Sequence, residues 1–311
     1  MRRVEHLITQ VRRQTENVRK GITDGITDEE FVQYLNDGQR DLYRSVMAVH
    51  SRAFTEVAFV DTVRGQDTYD LPASVFNFHK IVNMQYSHTG KPQNYQNLKK
   101  SFHGERMSVE ALPRRYILQG DKQFLLDPIP NKAVSNGIRI TYDPYLPKVD
   151  KRRALVSSVT ITAGVVTALN IGGTLYNEDD YNNDDYLSFV DAEGVIQAIG
   201  LPYTDVTSGT VSILNGAYDL PDGQTISPGD YVVLGENTTT NSQLPENCED
   251  YLLAYAAWKI FRRDSSTDAV EQDKERQAIK NLIVENFADA ASDATSIPIL
   301  DLTYDPEEWY G

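Results

Sequence analysis

The sequence predicts an α+β protein: a helical bundle core with antiparallel β elements, an inserted small all-β barrel or sandwich domain, and an extended C-terminal arm. Three observations carry this. Apolar residues recur at helical spacing near both ends of the chain, over residues 27–49 and 244–287. Between them, residues 156–243 hold six short apolar runs separated by Gly, Asn, Asp and Pro turns. That same stretch has no Lys or Arg against twelve Asp and Glu, which marks it as a unit of its own.

Residues 1–20 read as a short amphipathic helix, with Val4, Leu7, Ile8, Val11 and Val18 on one face. Gly21 to Gly25 turns the chain into the next helix. There Thr27 and Glu30 form a Thr-x-x-Glu capping box. Phe31, Leu35, Gly38, Leu42 and Val49 then step by three, four or seven residues, with the polar Gln39, Arg40, Asp41 and Arg44 between them.

From Ala53 the pattern changes to strands, with Phe54, Val57, Phe59 and Val63 mixed among Thr and Asp. Arg64-Gly65-Gln66-Asp67 is a turn, and Asp70-Leu71-Pro72 ends the next short strand. Residues 80–86 form a strand through Ile81, Val82 and Met84. Residues 87–112 are polar and read as loop with one short helix at most. Residues 115–118 and 123–126 flank Gln119-Gly120-Asp121-Lys122, a hairpin signal. Residues 138–142 give one more strand.

The segment without basic residues follows. Residues 156–162 and 165–171 surround Ala163-Gly164, a two-residue hairpin turn. Further strands are expected at 186–190, 195–199, 210–214 and 231–234, which together suggest a small barrel or sandwich. It begins near Arg152-Arg153 and ends in the polar stretch 238–242. It reads as an insertion, because the helices before and after it need each other to bury their apolar faces. The organisation is therefore 1–153 for the first part of the core, 154–242 for the insertion, 243–288 for a helical hairpin and 289–311 for the arm.

In the hairpin, Leu252, Tyr255, Ala256, Lys259 and Ile260 recur at helical spacing, and Ala257 and Phe261 widen the apolar face. Pro245 suits a first turn. Glu246, Glu249 and Asp250 favour the positive end of the helix dipole, and Arg262 and Arg263 the negative end. Residues 264–268 break the pattern, and a second helix follows with Ala278, Ile279, Leu282 and Ile283 as its buried stripe. Residues 289–311 do not continue that helix. Acids surround Ile297, Ile299, Leu302, Tyr304, Trp309 and Tyr310 there. A disordered acidic tail is one reading. The reading adopted is an arm that docks on a neighbouring chain, since these apolar groups are costly to leave in water and Trp and Tyr are favoured anchors.

The net charge of −15 argues against a protein that wraps a phosphate backbone. Its distribution is uneven: residues 51–155 carry sixteen Lys and Arg against ten acids, gathered in Lys99-Lys100, Arg114-Arg115 and Lys151-Arg152-Arg153. These clusters are expected to pair with acidic surfaces of the same or adjacent subunits, touching DNA only in passing. Cys248 is the sole cysteine, so no disulfide framework exists within the chain. It reads either as a small buried residue or as a thiolate activated by a helix N-terminus. None of His6, His50, His79, His88 and His103 is paired at metal-ligand spacing. The acidic run 177–185 reads as a solvated loop, or as a calcium site lacking the usual loop spacing. The sequence has no Walker loop, no His-Glu-x-x-His, no Gly-x-Ser-x-Gly and no dinucleotide glycine fingerprint after a strand. The expectation is a protein that is not an enzyme and needs no cofactor. No apolar run approaches the ~20 residues of a membrane span, and no apolar core follows Met1-Arg2-Arg3, so neither membrane insertion nor a secretion signal is expected.

Two stretches carry a resemblance. ITDEEFVQYLNDGQRDLYRSV and LPENCEDYLLAYAAWKIFRRD resemble the head-to-tail adaptor (connector) proteins of tailed double-stranded DNA phages. There a threonine-capped helix with an Asn-x-x-Gln-x-x-Leu pattern, here Asn36, Gln39 and Leu42, packs on an alanine- and tyrosine-rich helix introduced by Leu-Pro. Tyr69-Asp70-Leu71-Pro72 before the strand at 80–86 is similar too. The likeness covers about half the chain. It implies a homo-oligomeric ring of twelve copies at the head–tail junction of the virion, made in the host cytoplasm. The ring would sit under the portal protein, bridge it to a tail or nozzle protein and let double-stranded DNA pass. It also implies a portal-docking role for the arm residues Ile297, Ile299, Leu302, Tyr304, Trp309 and Tyr310. The clusters Lys99, Lys100, Arg114, Arg115, Arg152 and Arg153 would then set register between subunits. The alternative is a tail or baseplate module that recognises carbohydrate through the β insertion, with Tyr176, Tyr181 and Tyr186 as stacking faces. A hydrolase rests only on the many carboxylates, which an acidic protein has without catalysis.

Overall fold

The computed structural model describes residues 3–50, 53–72, 78–102, 109–120, 123–144, 146–181, 186–221 and 223–295. Helix α1 spans Val4–Val18 and buries Val4, Leu7, Ile8 and Val11. Thr15 completes that face, its hydroxyl returned to Val11 O at 2.8 Å. Val18 lies outside, because the helix is leaving the core at its last turn. Helix α2 spans Asp28–Val49, and its capping box forms as expected: Glu30 N donates to Thr27 Oγ1, and Thr27 N donates to Glu30 Oε2. Phe31, Leu35, Gly38 and Leu42 are buried. Val46 closes the stripe in place of Val49, which is exposed.

Helix α3, Glu249–Arg263, follows one 3₁₀ turn at Glu246–Cys248. Helices α1 and α2 both pack on it, as does α4, Asp268–Thr295. Gly38 lets α2 pass close to α3: a Cβ there would lie 3.1 Å from Tyr255 Cβ. Helix α4 departs from expectation twice. It continues past Asp289 to Thr295. Its inner side is Ile279, Ile283, Val284 and Phe287, whereas Ala278 and Leu282 face outward, Leu282 at 60 % exposure. The inward face also carries Arg276 and Lys280, which bond Tyr251 of α3 and Asp41 of α2.

The next part is two small sheets sharing one core. Strands β1 (Glu56–Thr62), β2 (Thr68–Asp70), β3 (Phe78–Tyr86), β4 (Arg115–Gln119), β5 (Gln123–Asp127) and β6 (Val134–Pro144) make up most of them. One sheet runs β1–β6–β3 and adds Gln96–Asn97. The other runs β2–β5–β4 and adds Lys99–Lys100. Both short strands lie in the stretch expected to be loop. Ala58, Ile140 and Met84 are register partners on the inner face of the first sheet. They meet Tyr69, Tyr116, Phe124 and Leu126 of the second.

The insertion is a closed six-stranded barrel. Its strands are β7 (Ala154–Thr162), β8 (Val165–Gly172), β9 (Tyr186–Val190), β10 (Ile196–Thr207), β11 (Thr210–Ile213) and β12 (Tyr231–Leu234). The order β7–β12–β9–β10–β11–β8 returns to β7, so no edge is left unpaired. Ala163 and Gly164 both have positive φ, as a two-residue hairpin between twisted strands requires. Strand β10 runs eight residues beyond the expected stop at Ile199, because a bulge at Gly200, φ 68°, bends it instead of ending it. The chain enters the barrel through Lys148–Val149 and leaves it through Thr238–Thr239, which pair in parallel.

Candidate assembly interface

The two connectors of the barrel, the start of the chain and one edge of α2 meet in a polar joint. Asn36, Gln39 and Tyr43 follow one another at i, i+3 and i+7, so the helix presents them along one edge. Asn36 Nδ2 donates to Val149 O and its Oδ1 accepts from Val149 N, both at 2.8 Å. Gln39 Nε2 donates to Pro147 O at 2.7 Å, and Tyr43 Oη to Pro144 O at 2.6 Å. Ser242 Oγ, on the outgoing connector, donates to Gln39 Oε1 at 3.0 Å. The stretch at residues 146–147 lies outside a sheet ladder, between the end of β6 and the paired Lys148–Val149, and buried backbone polar groups need partners. Pro144 and Pro147 offer carbonyls without N–H groups, so amide and hydroxyl donors on α2 are the complement they need. Val4 N donates to Thr240 O at 2.9 Å and adds the first helix to the joint.

Beneath the barrel lies an ionic joint. Arg153 is buried and grips Asp150 with two nitrogens, at 2.9 and 3.1 Å. Its Nη1 is 3.2 Å from Glu29 Oε1 on the first turn of α2 and 3.2 Å from Asp180 Oδ2 on the loop between β8 and β9. Asp150 Oδ2 also accepts from Leu234 N in β12. Lys151 Nζ reaches Glu29 at 2.7 Å, and this hydrogen bond takes the Glu29 carboxyl down to about 2. Arg152 bonds Glu5 of α1 at 2.8 Å and lies over the Tyr231 ring. Buried charges persist when paired and hydrogen-bonded in this way.

A third joint ties the helices. Asp41 of α2 accepts from Lys280 at 2.8 Å and from the Tyr251 hydroxyl, which Arg276 also approaches at 3.2 Å. Burial pushes the Asp41 carboxyl up, and these bonds more than offset it, so it lies below its usual range. Trp258 sits beneath Arg276, 4.5 Å from its centroid, with Arg262 at 5.3 Å.

These joints redistribute the basic clusters read from the sequence. Arg152 and Arg153 act within the chain, and Arg115 pairs with the buried Asp127 at 2.7 Å. Lys99 and Lys100 on their short strand and Arg114 just before β4 remain exposed, with Phe102, 83 % exposed, beside the two lysines in sequence. The arm residues Ile297, Ile299, Leu302, Tyr304, Trp309 and Tyr310 lie outside the described residues. Cys248 is fully buried and burial raises its thiol to about 11, which removes the activated-thiolate reading. The three tyrosines do not form a platform for sugars: Tyr181 is in the barrel core, Tyr176 stacks on it at 5.9 Å, and Tyr186 alone is exposed. The sequence reading missed Glu29, Asp150, Asp180, Tyr43 and Ser242. The one local signal was Asp150 standing directly before three consecutive cations in a linker.

The model of the SU10 adaptor protein family matches residues 3–186. The chain belongs to the SU10 adaptor protein family. The match takes in α1, α2, both sheets, β7 and β8, and ends on the first residue of β9. This adaptor therefore has α3, α4 and the rest of its barrel outside the matched span, although α1 and α2 pack on α3. No curated protein matches it. As a phage adaptor it is a structural component of the virion and associates with other virion proteins. Among the described residues no helix is long and apolar enough to cross a membrane.

Proposed function

We propose that this adaptor closes into a ring between the portal and the tail and surrounds the path of the DNA. The family match over α1, α2 and the two sheets carries the reading. Twelve copies, the number implied by the resemblance to head-to-tail connectors, would stack beneath the portal at the head–tail junction, with a tail or nozzle protein below. The protein would reach that place from the host cytoplasm.

The charge distribution supports a ring. A ring repeats one heterologous contact until it closes. Lys99, Lys100 and Arg114 form an outward basic surface, and the stretch 156–243 of the next copy has twelve acids and no basic residue, although Asp180 is held by Arg153 and Asp230 is buried. Opposed surfaces of this kind fix register and suppress wrong pairings. Acidic walls facing the channel would repel phosphate, so DNA would slide without sticking. The C-terminal arm, through Ile297, Ile299, Leu302, Tyr304, Trp309 and Tyr310, would grip the portal.

The test is the mass of the species formed by the protein alone and after mixing with its cognate portal ring. A monomer that becomes a defined multiple on the portal supports the reading. A protein that stays monomeric in both conditions overturns it.

A further inference from the structure

Helix α2 has an uncovered side. A groove of about 490 Å³ runs along it, between the helix and residues 146–148. Tyr43, Met47 and Leu146 line its apolar part; Arg40, Arg44 and Lys148 supply its charge. No Asp or Glu lines it among the described residues. Arg40 has only a loose pair with Asp37 at 3.8 Å, and neither Arg44 nor Lys148 forms an ion pair among the described residues. Three cations around an apolar surface fit an occupant that is acidic and apolar at once.

The chain contains such a segment. Residues 296–311 carry Asp301, Asp305, Glu307 and Glu308, and no basic residue follows Lys280. Between the acids lie Ile297, Ile299, Leu300, Leu302, Trp309 and Tyr310. Aromatic and aliphatic anchors of this kind fill apolar grooves while rim charges steer and align them.

The path to the groove is short. The Phe287 ring of α4 is 5.8 Å from that of Phe54, and the Phe54 ring stacks 5.1 Å from Tyr43, which lines the groove. Helix α4 ends eight residues beyond Phe287, at Thr295. At roughly 3.3 Å per residue, residues 296–311 span up to about 50 Å, several times the ~10 Å diameter of a helix. A tethered segment also acts at an effective concentration in the mM range, which favours it over the same segment of a second copy in dilute solution.

We infer that residues 296–311 dock in the Arg40–Arg44–Lys148 groove of their own chain while the protein is free. The docking stands apart from the ring reading. If that reading holds as well, the groove keeps the arm sheathed until the portal competes for it.

The test uses the full chain with Ala48→Cys in the groove and Leu302→Cys in the arm, exposed to a mild oxidant at low concentration. Cys248 is buried and stays out of the reaction. The expected result is a disulfide within one chain that forms roughly tenfold faster or more than in a control with Leu175→Cys on the barrel and Leu302→Cys. Adding Arg40→Glu and Arg44→Glu, both exposed, should bring the rate down to that of the control. Equal rates for the two pairs would overturn the proposal. So would a rate untouched by the charge reversal in a chain whose circular dichroism is unchanged, or disulfides found only between chains, which would give the groove to a second copy. Portal association, measured separately by mass, reports on the ring reading alone.

Discussion

The Ser242 hydroxyl donates to the Gln39 side-chain carbonyl at 3.0 Å across 203 residues of sequence. Both residues are buried, and the Gln39 amide nitrogen donates in turn to Pro147 O. One side chain thus holds the chain as it enters the barrel and as it leaves. Removing it takes the donor from the half-buried Pro147 carbonyl and the acceptor from the buried Ser242 hydroxyl, which still accepts from Leu244 N at 3.3 Å, at about 1–3 kcal/mol for each group left unsatisfied. Gln39→Ala should therefore lower the unfolding free energy by roughly 2–4 kcal/mol. A urea denaturation midpoint equal to that of the parent would mean that the bonds contribute nothing.

Gly38 lets α2 lie against Tyr255. Alanine there gains about 1 kcal/mol of helix propensity but sits 3.1 Å from Tyr255 Cβ and Cγ, so its net effect should be small. Gly38→Leu cannot be absorbed without parting α2 from α3 and should cost about 1–3 kcal/mol or more. Thermal melts of the two variants should separate clearly. Equal melting temperatures would show that the helices yield freely.

Arg153 is the hub of the ionic joint. Arg153→Met leaves Asp150 buried without its partner, and breaking a buried pair in this way costs about 3–5 kcal/mol. Adding Asp150→Asn removes the uncompensated charge and should recover part of that loss. A double variant as unstable as the sum of the two single changes would show that the residues do not act as a pair.

Glu29 gives the joint a pH dependence. Its carboxyl lies at about 2 when folded, against an ordinary 4.5. A depressed carboxylate stabilises the fold fully above pH 4.5, and that contribution is lost as pH falls towards 2. The parent should therefore lose stability more steeply than Glu29→Gln between pH 4.5 and 2, and the two should run parallel above pH 5. The half-exposed position of Glu29 keeps the difference small. Parallel curves throughout would refute the assignment.

Cys248 should resist thiol reagents in the native protein and react on unfolding, because it is fully buried with its thiol raised to about 11. Reaction with a chromogenic disulfide reagent, followed with and without denaturant, checks this. Rapid labelling of the native chain would place α3 away from its neighbours.

Much of the fold was legible. The Thr27–Glu30 box, the breaks around residues 21–25 and 264–267, the Ala163-Gly164 turn and the six barrel strands all rest on local chemistry. The joints were not legible in the same way. Asn36 and Gln39 were visible as part of a family pattern, but nothing near them in sequence says that they bond the backbone at 147–149. Arg152 and Arg153 were expected to pair with acidic surfaces of the same or an adjacent subunit, but nothing near them names the acids, because Glu5, Glu29 and Asp180 lie far away along the chain.

The sequence by itself determined the order of the main elements, the acidic stretch without basic residues at 156–243 and the adaptor resemblance. Periodicity, capping, turn residues and charge runs are properties of neighbouring residues, and they survive without knowledge of the fold. Only the tertiary structure decided that the barrel closes, that α4 turns Arg276 and Lys280 inward while Leu282 faces out, and which basic residues remain free to meet a partner. Those outcomes depend on where distant segments come to lie. A buried cation is tolerable only beside an anion, and for Arg153 the fold adds Glu29 and Asp180, from two other parts of the chain, to the neighbouring Asp150.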